Sequence, residues 1–261
     1  MSNENAKASR DAVLITGGTT GIGLAISLRF IAEGNEVYTL SRRGEENAQE
    51  LDRQVKERGL ARPHVLQADV SDRSRLVEIA GKLDEAGVRL RTVVASAGIN
   101  VREIALTVSD AAVRSMIDIN LYGLMATFQV FGPLALKQPG SRFIAISSLN
   151  ALQGMKLRAP YSATKAGVSG FVRALAVEWG PLGATVNAIA PGIIETPLTQ
   201  DYMAANPGRR DAAIAHTPAG RLGSVEDIAH TAMFLASKGA GFINGHTLVV
   251  DGGLSAGSSW W

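Results

Sequence analysis

The sequence predicts an α/β fold in which a seven-stranded parallel sheet carries helices on both faces. The chain has 261 residues, enough for one large α/β domain with a substantial core. Seven short β-branched runs alternate with longer helical patterns, which implies parallel strands joined by helical crossovers. Several of these runs are apolar at consecutive positions, as expected when both faces of the sheet are covered.

The predicted strands are short runs rich in Val, Ile and Ala. Parallel strands place their carboxyl ends on one edge of the sheet, and ligand sites in such folds lie at that edge. The residues that follow each strand are therefore the first candidates for function. The strands are predicted at residues 12–16, 37–40, 65–68, 92–95, 143–147, 184–190 and 247–250.

One segment departs from this alternation. Residues 191–223 contain four Pro and no clear strand, so we expect an insertion, or lid, over the substrate side of the site. We expect residues 1–10 to be a flexible N-terminus and residues 11–261 to form a single domain. Helices are predicted at residues 22–33, 45–58, 73–86, 110–136, 159–179 and 225–237.

The composition excludes several classes of function. Lys and Arg total 26 against 24 for Asp and Glu, and only 5% of residues are aromatic. This balance does not favour nucleic acid as a partner, although the pI is near 9.0. The chain has no Cys, which excludes disulfides and thiol nucleophiles and fits a reducing cytoplasm. The His residues at positions 64, 216, 230 and 246 lack the spacing of a metal site.

No segment resembles a membrane or targeting signal. The N-terminal residues are polar and carry both charge signs. The uncharged stretch at residues 119–136 contains Asn120, Gln129 and Pro133, which favours a buried helix over a membrane span.

A glycine-rich loop follows the first predicted strand and precedes an apolar helix. Its sequence is Thr16-Gly17-Gly18-Thr19-Thr20-Gly21-Ile22-Gly23. Glycines at this point allow the backbone to approach a pyrophosphate, and the helix N-terminus offers free N–H groups to the anion. The spacing G-x-x-x-G-x-G differs from G-x-G-x-x-G, and a turn without a ligand is the alternative. The position of the loop favours dinucleotide binding by Gly17, Thr19, Thr20, Gly21 and Ile22.

The end of the second predicted strand indicates which dinucleotide. An acidic residue there would bind the ribose 2′-hydroxyl of NAD, but this strand ends in Ser41-Arg42-Arg43. Arg42 can pair with a 2′-phosphate, a contact worth roughly 1.5–3 kcal/mol. The sequence therefore favours NADP(H), with NAD(H) possible because Glu45 and Glu46 lie nearby. Solvated surface arginines are the alternative.

Two further strand ends carry candidate cofactor contacts. Asp69 follows the third strand and can accept a hydrogen bond from the adenine amino group, although it can instead cap the next helix. Ser96, Ala97 and Gly98 end the fourth strand and allow the backbone to approach the cofactor.

Four residues indicate proton transfer to a carbonyl oxygen. Tyr161 and Lys165 lie four apart in a helical pattern and so share a face. A free Tyr has a pKa near 10, and an ammonium about 4 Å away supplies the roughly 4 kcal/mol needed to lower it by about 3 units. Ser148 would orient the substrate oxygen, and Asn120 would hold a water that links Lys165 to solvent. Taken one at a time, each of these four residues could instead have an ordinary structural role.

These pieces together resemble the short-chain dehydrogenase/reductase family over nearly the whole chain, from Asp11 to Gly253. The resemblance rests on residues 16–23, Asp69-Val70, residues 95–98, Asn120, Ser148, Tyr161-Ser-Ala-Thr-Lys165, residues 187–192 with Thr196, and residues 251–253. It implies a Rossmann-type fold, Ser148, Tyr161, Lys165 and Asn120 as catalytic residues, and a homotetramer in which the Asn120 and Tyr161 helices form one dimer interface. It also implies cofactor contacts from Val70, Pro191, Gly192, Ile194 and Thr196.

The chain departs from the family pattern in three places. Ala95 and Ser96 replace the two Asn of the usual N-N-A-G motif, and Thr20 replaces a basic residue that many NADP-using members carry. The terminal Trp260 and Trp261 are unusual, and we expect them to pack on a neighbouring subunit or on a substrate pocket.

The predicted function is an NADP(H)-dependent oxidoreductase that interconverts a ketone and a secondary alcohol. Residues 217–223 and 244–251 are similar to those of sugar-acid and polyol members such as gluconate 5-dehydrogenase, and also to those of 3-oxoacyl-carrier-protein reductases. Either substrate class is open, and a non-catalytic NADP(H) sensor is the alternative of another kind. Arg102 and Arg158 could meet an anionic substrate, but ordinary surface charge is the simpler interpretation.

Overall fold

The structure is a computed structural model that describes residues 11–257, apart from the side chain of Leu198. The predicted flexible N-terminus and the Trp260–Trp261 pair lie outside these residues. The seven-stranded sheet is confirmed, with all strands parallel in the order β3-β2-β1-β4-β5-β6-β7. The strands are β1 (Ala12–Thr16), β2 (Glu36–Ser41), β3 (His64–Gln67), β4 (Leu90–Ala95), β5 (Arg142–Ile146), β6 (Thr185–Pro191) and β7 (Thr247–Val250).

Helices cover both faces, as the apolar strands predict. The helices are α1 (Gly21–Ala32), α2 (Gln49–Glu57), α3 (Arg73–Glu85), α4 (Asp110–Ile117), α5 (Gly123–Ala135), α6 (Ala159–Trp179), α7 (Pro197–Ala204), α8 (Arg209–His216) and α9 (Val225–Ala236). Strand β1 is buried throughout and divides its side chains between two cores. Leu14 packs towards α3, α5 and α6, whereas Val13 and Ile15 pack towards α1, α2 and α9. None of the helices in the described part of the chain is long and apolar enough to cross a bilayer.

Two predicted helices are interrupted. The helix expected at residues 45–58 is instead a 3-10 turn at Gly44–Asn47 followed by α2. Gly44 has a φ of 54°, a left-handed conformation that forms a turn before the helix can begin. The helix expected at residues 110–136 contains a π-turn at Asp118–Tyr122 between α4 and α5. Such turns are common at functional sites, and this one holds the fully buried Asn120.

The segment at residues 191–223 is helical. It contains α7 and α8, and its two ends meet through a parallel bridge between Ile194 and Gly223. Thr196 and Thr199 form a capping box at the start of α7, which fixes where the chain leaves β6. Side chains of both helices line the cleft at the carboxyl edge of the sheet, and the role of the segment as a lid stays a prediction.

Candidate active site

A cleft of about 1000 Å³ runs along the carboxyl ends of the strands. It brings together nearly all of the residues predicted to bind cofactor or substrate. Asn120 is the exception, because it lies buried behind the cleft wall. The predicted residues that line the cleft are Gly17, Thr19, Thr20, Gly21, Ile22, Ser41, Arg42, Arg43, Asp69, Val70, Ser96, Ala97, Gly98, Ser148, Tyr161, Lys165, Pro191, Gly192, Ile194 and Thr196.

The glycine-rich loop is folded tightly onto the start of α1. A Cβ atom at Gly23 would lie 2.2 Å from the Gly17 carbonyl oxygen, so only glycine fits there. Thr20, the N-cap of α1, makes no side-chain cap, and the first turn carries no acidic residue. The N–H groups and the positive dipole end of α1 therefore face the cleft, which fits the pyrophosphate of a dinucleotide.

Thr16 holds the neighbouring turn in place, a role that the sequence analysis missed. Its Oγ1 accepts hydrogen bonds from the backbone N of Ser96, at 3.1 Å, and of Ala97, at 3.2 Å. The end of β4 is thereby fixed against the glycine-rich loop, where Gly17 packs against Ala97. A threonine at the last position of β1, next to the glycines, was the available signal.

The end of β2 presents positive charge to the cleft. Ser41 is buried, and both Arg42 and Arg43 line the cleft wall. The Glu45 carboxylate pairs with Arg62, whose Nε also donates to Asp52 Oδ1 at 2.7 Å. Glu45 is engaged by this ion pair, and neither Glu45 nor Glu46 lines the cleft, so neither carboxylate opposes a 2′-phosphate at Arg42 there.

Asp69 does not cap the following helix. Its Oδ1 accepts hydrogen bonds from the backbone N and the hydroxyl of Ser71, at 2.9 and 2.7 Å. Asp72 caps α3 instead, by accepting from the backbone N of Arg75 at 3.0 Å. The carboxylate of Asp69 is thus fixed at the cleft wall, and its contact with adenine stays a prediction.

Lys165 is locked beneath Tyr161 on the first turns of α6. Its Nζ is buried, donates to the Ile146 carbonyl oxygen at 2.8 Å, and lies 5.8 Å from the centroid of the Tyr161 ring. The Ser147 hydroxyl donates to the Lys165 carbonyl oxygen at 3.1 Å. Burial lowers the pKa of Lys165 to about 8, because the charged form loses its hydration.

The pKa of Tyr161 is raised, not lowered, in the chain alone. Burial is the largest cause, and it outweighs the Ser148 hydrogen bond and the charges of Arg158 and Arg102, all of which lower the pKa. The expectation that the Lys165 ammonium by itself makes this phenol acidic was wrong. The reason is that the ring is desolvated together with the ammonium, an effect that sequence spacing does not reveal.

Asn120 satisfies its buried amide through the backbone of the loop after β4. Its Oδ1 accepts from the Ile99 N and its Nδ2 donates to the Ile99 carbonyl oxygen, both at 2.8 Å. The side chain thus fixes this loop beside Gly98, where an added Cβ would lie 3.2 Å from Asn120 Oδ1 and 3.6 Å from Lys165 Nζ. Its predicted role in holding a water stays a prediction.

The end of β6 forms part of the cleft wall. Gly192 packs so closely on Asp251 that an added Cβ would lie 2.7 Å from the Asp251 Cβ. Ile194 is buried in the core beneath α9, and the Thr196 hydroxyl caps α7 by accepting from Thr199 N at 3.3 Å. These contacts hold the wall rigidly where the resemblance predicts the nicotinamide.

Two arginines belong to the substrate end of the cleft. Arg102 and Arg158 were interpreted from sequence as ordinary surface charges, but both are partly buried and line the cleft near Tyr161. That interpretation was wrong because the loop after β4 and the start of α6 converge at the cleft. Tyr202 of α7 also lines the cleft; nothing in its local sequence singled it out.

Known proteins are similar to this chain over most of its length. A family model described as enoyl-(acyl carrier protein) reductase matches residues 17–255. The 3-oxoacyl-(acyl-carrier-protein) reductase of Thermotoga maritima is 33% identical over 245 residues, which cover 92% of this chain and 96% of that protein. Galactitol 2-dehydrogenase (L-tagatose-forming) of Cereibacter sphaeroides is 34% identical over 246 residues, covering 92% and 93%.

A solved structure has the same architecture. The gluconate 5-dehydrogenase of Burkholderia cenocepacia J2315, crystallised in complex with NADP and tartrate, superimposes with a TM-score of 0.87. The two sequences are 29% identical, and the match covers 95% of this chain and 96% of that one. The fold is therefore shared with an enzyme that was crystallised with NADP.

Proposed function

The chain belongs to the short-chain dehydrogenase/reductase family, and from that premise we propose that it is an NADP(H)-dependent oxidoreductase of a ketone and secondary alcohol pair. The observation that carries the proposal is the placement of Ser148, Tyr161 and Lys165 in the same cleft as the open N-terminus of α1. A dinucleotide with its pyrophosphate at α1 then lies along the cleft that contains these three side chains.

The residues of the chain supply the proton and hold the substrate oxygen. NADPH, when bound, supplies a hydride to the carbonyl carbon. The Tyr161 hydroxyl donates its proton to the carbonyl oxygen, and the Ser148 hydroxyl hydrogen-bonds the same oxygen and orients it. One hydride and one proton convert the ketone to a secondary alcohol, and alcohol oxidation is the reverse. Lys165, fixed to the Ile146 carbonyl, stabilises the phenolate that Tyr161 becomes.

The preference for NADP(H) rests on the end of β2. Arg42 and Arg43 line the cleft, and Glu45 is engaged by Arg62 outside it. The gluconate 5-dehydrogenase relative was crystallised with NADP. A planar guanidinium that pairs with the 2′-phosphate explains the preference physically.

The substrate that fits best is a small polar keto compound of the sugar-acid or polyol type. Its support is the polar substrate end of the cleft, which includes Arg102, Arg158 and Tyr202, together with the gluconate and galactitol dehydrogenase relatives. A 3-oxoacyl thioester is the second candidate, because the Thermotoga maritima relative carries that name.

We also propose that the chain assembles as a homotetramer in which the helices of Asn120 and Tyr161 form one dimer interface. Apolar side chains lie exposed on these elements, with Ile117 at 43%, Tyr122 at 42% and Val177 at 78% exposure. A second copy that packs on these elements would bury these side chains. Sedimentation equilibrium gives the test, and a monomer at micromolar concentration would contradict it.

The test of the proposed function is a substrate panel with both coenzymes. We expect the wild-type protein to reduce or oxidise at least one sugar acid, polyol or 3-oxoacyl thioester, faster with NADP(H) than with NAD(H). Tyr161→Phe should lower kcat by about 10²- to 10⁴-fold with the dissociation constant for NADPH unchanged. Tyr38→Phe, which removes a hydroxyl that donates to Glu36 outside the cleft, is the matched control and should leave kcat unchanged.

Two outcomes would contradict the proposal. Full turnover by Tyr161→Phe would show that this hydroxyl does not transfer the proton. NADPH binding without turnover of any compound in the panel would favour a redox sensor.

A further inference from the structure

Two guanidinium groups approach Tyr161 from separate segments of the chain. Arg102 lies in the loop after β4, and its Cζ stands 3.6 Å from the centroid of the Tyr202 ring. Arg158 immediately precedes α6, and its Cζ lies 5.9 Å from the centroid of the Tyr161 ring. Both charges therefore face the part of the cleft where the substrate oxygen must lie.

This placement is electrostatically unfavourable in the chain alone. Burial lowers the pKa of both arginines, and the charge of Arg102 lowers the pKa of Arg158 further. Two like charges that are partly dehydrated and close together destabilise the fold unless an anion lies between or beside them. Over residues 11–257, neither arginine is ion-paired with a carboxylate.

The cleft supplies almost no negative charge of its own. Within the described residues, Asp69 is the one carboxylate in its lining, and it lies at the cofactor end, bonded to Ser71. Lys156 and Arg209 add to the positive charge at the substrate end. The lining therefore leaves the positive charge of Arg102 and Arg158 for a bound anion to compensate.

The two arginines are also held in position. Stacking on the Tyr202 ring restrains the Arg102 guanidinium and leaves its edge donors free. Leu157, directly before Arg158, has a left-handed backbone with φ of 66°, which costs about 1–2 kcal/mol in a residue with a side chain. Arg158 follows Leu157 directly and is the N-cap of α6. The strained backbone of Leu157 therefore helps to set where the Arg158 guanidinium lies.

We propose that Arg102 and Arg158 together bind an oxyanion, a carboxylate or a phosphate, of the substrate whose carbonyl or hydroxyl meets Tyr161. This inference rests on the proposed function and narrows its substrate class to anionic compounds, excluding neutral polyols as the preferred substrate. Arg102 and Arg158 are binding residues that touch the substrate anion, and Tyr202 is a positioning residue that acts through Arg102.

The test uses three substrates with matched six-carbon skeletons. D-Gluconate carries a carboxylate, D-glucitol 6-phosphate carries a phosphate, and D-glucitol is neutral. Oxidation of each with NADP⁺ should give a higher kcat/KM for one or both anions than for D-glucitol. The better anion identifies which oxyanion the pair binds.

Arg102→Met and Arg158→Met should each lower kcat/KM for the preferred anion by about 10- to 100-fold, the effect of one charge-assisted hydrogen bond. Activity on D-glucitol corrects for any change at Tyr161, so the ratio of anionic to neutral kcat/KM is the readout. Arg102→Lys should retain part of that ratio. Arg53→Met is the matched control, because Arg53 pairs with Glu50 and Glu57 on the exposed surface of α2, outside the cleft and outside the proposed dimer interface.

Ligand binding without turnover separates this inference from the proposed function. Calorimetry on the NADPH-loaded protein should detect D-gluconate or D-glucitol 6-phosphate, and each Arg→Met variant should weaken that binding by the same factor. Anion binding that depends on both arginines without any turnover would support the inference and contradict the proposed function. Turnover with an unchanged anionic-to-neutral ratio in both variants, or no anion binding and no preference for anions, would overturn the inference.

Discussion

The cofactor half and the substrate half of the cleft are built from different parts of the chain. In the cofactor half, backbone groups and small residues pack almost without free space, as at Gly17, Gly23 and Thr16. In the substrate half, long side chains such as Arg102, Arg158 and Tyr202 extend from three separate segments. A site made by the backbone tolerates few residue types, whereas a site made by long side chains can change without altering the fold.

This difference offers a physical reason why proteins that share the fold can be named for different substrates. The relatives are named for a 3-oxoacyl thioester, galactitol and gluconate, at 29–34% identity. Variants in the two halves should therefore behave differently: changes in the cofactor half affect folding and all substrates, and changes in the substrate half affect selectivity.

The largest effect is expected where the backbone leaves no room. In Gly23→Ala, the new Cβ would lie 2.2 Å from the Gly17 carbonyl oxygen, so the glycine-rich loop must move. We expect at least about a 100-fold weaker NADPH affinity and a lower Tm. Gly81→Ala is the control, because Gly81 lies within α3 and a Cβ there meets no atom within 4 Å. NADPH titration and thermal unfolding measure both, and wild-type affinity in Gly23→Ala would show that the loop is not a rigid cradle.

A smaller effect, confined to one coenzyme, is expected at Arg42. Arg42→Ala should weaken NADPH binding by about 10- to 100-fold and leave NADH binding unchanged, because only NADPH carries the 2′-phosphate. Fluorescence titration with each coenzyme is the measurement. Equal losses for both would show that Arg42 does not bind the phosphate.

The raised pKa of Tyr161 predicts opposite pH dependences for the two directions. Alcohol oxidation needs the phenolate, which is scarce at neutral pH when burial raises the pKa, so kcat/KM should increase by up to about tenfold per pH unit on the alkaline side of pH 7. Ketone reduction needs the protonated form and should stay level through neutral pH, then fall as the pH passes the pKa. A flat oxidation profile between pH 6 and 9 would contradict this assignment.

Arg158→Met should move the oxidation profile to higher pH, because the Arg158 charge lowers the pKa of Tyr161. The charged groups that act on this phenol are Arg158 and Arg102, the Ser148 hydroxyl acts through a hydrogen bond, and Lys165 lies beneath the ring. Rate measurements on D-glucitol isolate the effect, since that substrate carries no anion. An unshifted profile would mean that the Arg158 charge does not reach the phenol.

The smallest effect is expected at the surface ion pair behind the 2′-phosphate position. Arg62→Ala releases Glu45, and the freed carboxylate should weaken NADPH binding by about 2- to 5-fold, as is usual for exposed charges. The double variant with Glu45→Gln should restore the affinity, and NADH binding should not change in either. An unchanged NADPH affinity in Arg62→Ala would mean that Glu45 does not approach the phosphate.

The sequence predicted the fold and the position of the glycine-rich loop well, because both depend on local patterns. Apolar runs located all seven strands to within a few residues, and the position of Gly17 to Gly23 between β1 and α1 placed the loop. Tyr161 and Lys165 fall on one helix, so their spacing alone put them on the same face.

The remainder depends on contacts between distant segments. The direction of the Tyr161 pKa shift depends on how deeply the rest of the fold buries this side chain. A sequence motif does not contain that information. The importance of Arg102 and Arg158 appears only when the loop after β4 meets the start of α6. The π-turn exists where Asn120 meets Ile99, a contact across 21 positions of the chain.

The π-turn at Asp118–Tyr122 is equivalent to one surplus residue in a continuous helix. The extra residue rotates the side chains of α5 by roughly 100° about the helix axis relative to those of α4. The two helices therefore turn different faces to their neighbours than one continuous helix would. A homologue that lacks one residue in this stretch would have a longer, more regular helix. Its sequence would still contain the asparagine, but the side chain would be rotated away from the loop after β4. Loss of a single codon would thus remove the hydrogen bonds between Asn120 and Ile99 while every residue of the cleft stayed the same.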